Sequence, residues 1–275
     1  MYNIYSCEGG IGMNDKPKIA TPKVTLLGYT NTLNGQGPEG IVATAGKLCY
    51  SKSDIVSLNE KLSEEDIKKF INTLTSYGHY SVFEHANFTF GIEGISRTCS
   101  HQIVRHRTGS YSQQSQRYVN LDNSFEFIIP EEIANCEEAK KVYIDSIYRD
   151  YDAYRDITIK LVEEYINSGI DKKSAIKKAL EDARFALPNA CETKLIMTMD
   201  ARNLLHFFEE RCCMRAQWEI RDVANQILDL VLDVAPNLFA KAGPSCAFGK
   251  CKEGAMSCGN IQEPKEKQKV KKYER

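Results

Sequence analysis

No run of about twenty apolar residues occurs in this 275-residue chain, so nothing in it is expected to span a bilayer. Its beginning, Met1-Tyr2-Asn3, lacks the basic-then-apolar pattern of a secretory signal, and a cytoplasmic location is the resulting expectation. Positive charge is not in excess either. The formal net charge is -1, whereas a protein that lives on nucleic-acid phosphates carries a basic surplus over the whole domain. No GxGxxG follows a strand-like run, which argues against a Rossmann-type cofactor domain. Paired CxxC spacing is missing too. In a reducing compartment the ten cysteines then read as buried thiols, metal ligands or redox groups rather than as a disulfide framework.

What remains is an ordinary globular composition, 42% hydrophobic and 27% charged, with length enough for one substantial core or two small domains. Residues 1–22, polar and punctuated by Pro17 and Pro22, are expected to form a peripheral arm. A β-type run at 23–29 precedes a glycine- and asparagine-rich turn over 31–40 and a helix over 41–48. Ser63 before three acidic residues predicts a helix start, apolar spacing carries that helix to Tyr77, and Gly78 stops it. The alternation at 87–92 predicts a strand, and 95–104 a helix that delivers Arg105. Gln102 stands one turn before Arg105 on that helix, on the same face.

The second half is mostly helical. Apolar and tyrosine positions from Ile144 to Tyr165 repeat at helical spacing until Ser168-Gly169, and the tyrosine stripe reads as packing surface. Asp171 caps a further helix toward Arg184, which Pro188 closes off. A buried strand is expected over 193–199, then a helix over 200–211 with Arg202, His206 and Glu209 on one face. The last long helix, 216–234, shows Ile220, Val223, Ile227, Leu230 and Val234 as its buried stripe. Cys246, Cys251 and Cys258 offer a thiolate site for zinc or an iron–sulfur cluster, or plain thiols in a lightly ordered tail. The Lys/Glu-rich end, 259–275, is expected to be disordered.

One stretch stands apart. Residues 105–118 hold Arg105, Arg107 and Arg117, one imidazole, several hydroxyls and three amides, with no acidic group and no cysteine. Guanidinium forks match phosphate and carboxylate oxygens and keep their charge when partly desolvated. Glycine and small hydroxylated residues let backbone N–H groups approach the same anion. The stretch therefore reads as a loop built for a phosphorylated ligand, against the alternative of a solvated basic loop.

Arg105-His106-Arg107, Ser110, Ser115 and Arg117 reproduce the pattern RHRxxSxxxxSxR, and by it the chain resembles the flavin-dependent thymidylate synthases. The block GHxSxFEH at 78–85, Ala186-Leu187-Pro188, the helix from Asp200 and RAQWEIR at 215–221 extend the similarity over residues 23–239. That resemblance implies an α+β fold: a single domain over 23–240 with a central, mostly antiparallel sheet and long helices, assembling as a homotetramer with sites at subunit junctions. The arm 1–22 and a cysteine-bearing, charged tail over 241–275 lie outside that domain. It also implies reductive methylation of dUMP to dTMP. In that reaction 5,10-methylenetetrahydrofolate gives the carbon, FAD carries the hydride, NADPH recharges it and tetrahydrofolate is released.

The resemblance assigns roles residue by residue. Gln102, Arg105, Gln113, Gln114, Ser115, Gln116, Arg117, Arg184 and Arg211 match dUMP-binding positions, with Ser115 and Arg211 in the catalytic set. Ser81, Glu84, Arg105, His106, Arg107, Asp200, Arg202 and His206 match FAD-binding positions. His79 and Tyr118 fall on the folate side. No metal is implied. Two positions depart from the family pattern: Asp200 stands where many members carry asparagine, and Arg215 where some carry histidine. Two other classes stay open at this stage. One is an RNA-binding module that uses the arginine loop, and the other a metal-dependent regulator built on the C-terminal cysteines.

Overall fold

A computed structural model describes residues 17–119, 121 and 125–264. Most of the expected arm (1–16), the charged end of the tail (265–275), residue 120 and residues 122–124 lie outside the described residues. Strands β1 (Lys18–Ile19) and β2 (Lys23–Tyr29) precede helices α1 (Gly37–Leu48), α2 (Ile55–Glu60) and α3 (Glu64–Ser76). A 3-10 turn, Tyr80–His85, leads into β3 (Asn87–Ser96), α4 (Arg97–Ile103) and β4 (Ser110–Gln113). Next come β5 (Glu126–Phe127), α5 (Glu131–Ala134), α6 (Glu137–Asn167) and α7 (Lys172–Ala183). Strand β6 (Glu192–Asp200) and helices α8 (Ala201–Arg211) and α9 (Trp218–Val234) complete the series. The four-stranded sheet has the order β2-β3-β6-β4 and is antiparallel, in keeping with the expected α+β class. Strands β1 and β5 form a separate parallel pair, with Lys18 opposite Glu126.

Local chemistry sets most boundaries. The Asp66 amide donates to Ser63 Oγ while the Ser63 amide donates to the Asp66 carboxylate, a reciprocal cap that starts α3. Gly78, at φ +70, ends the turn after it in a conformation that costs a side-chain-bearing residue energy. Other expectations need correction. Helix α1 begins at Gly37, ahead of the expected Ile41, because Pro38 fits the first turn, where its missing N–H is not needed. Strand β3 continues through Ile95 and Ser96, both buried, so α4 starts only at Arg97. Part of the signature is strand β4, whose residues alternate between exposed and half-buried. Lys18–Ile19 of the expected arm is a strand, held by backbone bonds to Phe125 and Phe127. In α9 Val231 is buried, whereas Leu230 and Val234 are half-buried, since a 3.6-residue repeat carries the apolar stripe one position across.

The chain divides into two compact units. The first comprises 17–21, Glu93–His101 and Gln113–Lys194. Its core sets α6 and α7 against β5: Phe125 stacks on Tyr151 with centroids 4.9 Å apart, and Phe127, Ile147, Tyr154 and Leu180 complete it. Tyr151 and Tyr154 are buried, which bears out the packing reading of the tyrosine stripe. The second unit comprises Pro22–Ile92, Gln102–Ser112 and 195–264. Edge-to-face contacts run through its core from Phe88 to Phe239 (5.4 Å), Phe208 (5.9 Å) and Phe207 (6.0 Å), and reach His106 at 4.9 Å. The apolar interior of this unit thus ends on a signature histidine.

Candidate active site

In the second unit, α8 organises the polar side chains. The Asp200 carboxylate accepts from the Asn203 amide at 2.9 Å and caps the helix at its electropositive end. One helical face then presents Arg202, His206 and Glu209, as the spacing predicted, and this face lines a cavity of about 490 Å³. Arg202 is ion-paired with Glu84 from the 3-10 turn. Tyr80 lines the cavity, whereas Ser81 and His79 are exposed beside it and do not. Thr75, on α3, contributes a hydroxyl that is buried and has no hydrogen-bond partner.

His106 is the most constrained signature residue. Arg211 Nε donates to its Nε2 at 2.9 Å, so that nitrogen accepts and the ring is neutral with its proton on Nδ1. Burial holds the imidazole pKa below its ordinary value, the nearby Arg211 charge adds to this, and Glu210 opposes it. Glu210 stands 4.0 Å from His106, 3.4 Å from His206 and 3.8 Å from Arg211. Tyr111 Oη donates to the His106 carbonyl at 2.7 Å, and burial pushes the phenol up to about 12. A Cβ on Gly109 would fall 2.6 Å from that hydroxyl, so any larger residue there would displace the Tyr111 side chain. Arg105 and Arg107 are exposed and make no ion pair among the described residues. Gln102 is half-buried at the end of α4.

The rest of the signature belongs to the first unit. Ser115 Oγ accepts from the Arg117 amide at 3.2 Å and fixes the turn that carries this arginine. Arg117 pairs with Glu181 at 2.8 Å, while its Nε is buried and unpartnered. Arg184 Nε donates to the Glu181 carbonyl at 3.0 Å, so Glu181 gathers both arginines. Exposed Tyr118 carries Lys177 and Arg117 over its ring at 4.9 and 5.7 Å. Gln113 is tied to Ser100 (2.9 Å) and Thr193 (3.1 Å), whereas the Gln114 side chain is exposed. Gln116 Nε2 reaches Cys191 Sγ at 3.5 Å, and burial pushes that thiol up to about 12. A second cavity, about 410 Å³, is lined by Arg97, His101, Gln116, Arg184 and Asn189 without an acidic side chain.

The candidate residues thus fall into two local groups. Around α8 the structure joins His106 with Arg211, and Glu84 with Arg202. Around α7 it joins Ser115, Arg117, Tyr118 and Arg184. Cys246 and Cys251 are half-buried and Cys258 is exposed; among the described residues no group of three or more His, Cys, Asp or Glu is placed to hold a metal ion. Sequence reasoning did not single out Glu181, Glu210, Tyr111 or Arg97. For Glu181 a signal exists in its place one turn before Arg184 on a helix. Nothing local marks Tyr111 as the partner of the His106 carbonyl.

The described residues thus make an α+β fold with two clefts lined in part by basic side chains. Residues 25–237 match the family described as thymidylate synthase complementing protein. A flavin-dependent thymidylate synthase of Clostridium tetani is 53% identical over 243 residues, 88% of this chain and 95% of that one. Relatives of the same name from Geobacter sulfurreducens and Pyrococcus furiosus are 48% and 42% identical, over 88% and 84% of this chain and 96% and 89% of theirs. The chain belongs to the flavin-dependent thymidylate synthase family. Neither the RNA-binding nor the cysteine-based regulatory alternative gains support from these comparisons. Among the described residues, no helix is long and apolar enough to cross a membrane.

Proposed function

We propose that this chain converts dUMP to dTMP by reductive methylation, with 5,10-methylenetetrahydrofolate as carbon donor, NADPH as reductant and FAD as hydride carrier, releasing tetrahydrofolate. Family membership supports the reaction. The site reading is carried by the signature guanidiniums: Arg105 and Arg107 are unpaired among the described residues, and Arg117 keeps a buried, unpartnered Nε. The Arg117 Nε is a desolvated donor and Arg105 and Arg107 are exposed, unpaired charges, and both kinds of group are suited to an anion.

The residues around α8 fit a flavin dinucleotide. Leu205, Leu238 and Phe248 offer apolar surface, Arg202 and the lysines offer charge, and the Thr75 hydroxyl lacks a partner. Bound there, the flavin supplies the hydride that no side chain can. The chain's own groups do the rest. Arg117, with Arg105, Arg184 and Arg211, neutralises the nucleotide phosphate or polarises the uracil carbonyls as negative charge builds on the ring. Neutral His106 accepts from Arg211 and fixes the direction of its fork. Ser115 positions Arg117 and hydrogen-bonds the nucleotide with Gln102, Gln113, Gln114 and Gln116. Ser81, Glu84, Arg105, His106, Arg107, Asp200, Arg202 and His206 face the flavin; His79 and Tyr118 face the folate. Cys191, kept protonated by burial, offers no thiolate for attack on the pyrimidine.

Residues 23–240 act as the synthase domain, a reading that the match over 25–237 supports. The protein works as a homotetramer, and the exposed, unpaired Arg105 and Arg107 suit a surface completed by another protomer. The test is tritium release from [5-³H]dUMP with FAD, NADPH and methylenetetrahydrofolate. Release that requires all three cosubstrates is expected; no release with flavin bound would remove the assignment.

A further inference from the structure

The family match ends at residue 237, yet the segment beyond it forms one wall of the α8 cavity. This segment is anchored. Lys252 is ion-paired with Glu209 of α8, Glu253 with Arg215, and the Lys252 amide donates to Ser245 Oγ at 3.2 Å. So held, it presents Lys250, while Lys241 flanks the same cavity at the segment's start; both are exposed and make no ion pair among the described residues. Arg202 and Lys252 already have acidic partners, Glu84 and Glu209. The uncompensated charge in the cavity therefore comes from Lys241 and Lys250. Apolar surface from Leu205, Leu238 and Phe248 lies beside it, and the buried Thr75 hydroxyl adds a polar group without a protein partner.

Apolar wall, free cations and an idle hydroxyl in one cleft match an aromatic nucleotide joined to a diphosphate. We propose that Lys241 and Lys250 hold the diphosphate of a dinucleotide in this cavity, so that the segment from 241 to 252 is a working part of the site. The proposal rests on the functional reading above, which supplies two dinucleotides, FAD and NADPH. Lysine is suited to the task as a flexible point charge that can follow either one.

The test uses the full chain with Lys241→Ala and Lys250→Ala together. FAD is titrated into apoprotein and followed by flavin fluorescence; NADPH is titrated into FAD-loaded protein and followed by flavin reduction in stopped flow. The apparent Kd for FAD or for NADPH is expected to rise about tenfold or more, with the salt dependence of that step flattened. Whichever arm responds identifies the dinucleotide. Restoration by the paired Lys→Arg variant shows that charge, not packing, is responsible, and Lys250→Glu alone is expected to weaken the same arm. Unchanged constants in both arms overturn the proposal while leaving the reaction assignment intact. A wild-type protein that binds neither dinucleotide brings down both.

Discussion

His106 shows how one side chain joins packing to chemistry. Its ring meets Phe207 edge-on at 4.9 Å and accepts from Arg211 at 2.9 Å, so the apolar core orients a group that in turn orients a guanidinium. Burial lowers its pKa below the ordinary 6.5. The unfolded chain therefore takes up a proton on this residue at a pH where the folded protein does not, and the folded state loses stability as pH falls below 6.5, levelling off beneath the folded pKa. His106→Asn is expected to remove this contribution, seen as a smaller loss of melting temperature between about pH 8 and about pH 5. An unaltered slope would show that His106 does not titrate in that range. Arg117 makes the second residue-level case. Arg117→Ala is expected to lower dUMP-dependent flavin oxidation about a hundredfold or more while FAD is retained. Unchanged turnover would take this residue out of the site. The motif marked both residues, but Glu181 and Phe207, which set their geometry, come from remote parts of the chain that no local pattern connects to them.

At the scale of the element, α8 does most of the positioning. Its start is legible in the sequence because Asp200 precedes an apolar-periodic run and has a short acceptor side chain. The structure shows that acceptor engaged with the Asn203 amide. Asparagine has the same oxygen to offer. Asp200→Asn is therefore expected to leave stability nearly unchanged, whereas Asp200→Ala costs about 1 kcal/mol in urea unfolding. An Asn variant as unstable as the Ala variant would mean that the carboxylate charge, rather than the cap, holds the helix end. Strand β4 is the opposite case. Its serine and glutamine content, directly after Gly109, reads as loop, and the ladder into which it fits is made by β6, far away in sequence. Helix α1 likewise extends beyond its apolar stripe because proline and glycine, read as turn formers, also suit a first helical turn.

For the molecule as a whole, assembly is the consequence most open to measurement. Three ligands around one 31.1 kDa chain, together with exposed and unpaired Arg105 and Arg107, lead us to expect a sedimenting species of four times that mass. Arg105→Glu with Arg107→Glu is expected to lower FAD affinity by about tenfold or more. Full activity in a species of single-chain mass would sink the idea that protomers complete one another's sites. The amino-acid order was enough to place the family, the α+β class, the helix caps and the cationic signature, because all of these are written in short-range periodicity and in fixed residue spacing. It could not say that Glu181 would pair with Arg117, that His106 would be held neutral, or that Lys250 would line the α8 cavity. Those facts depend on contacts between residues tens to hundreds of positions apart, and such distances close only when buried apolar faces find each other and the chain folds.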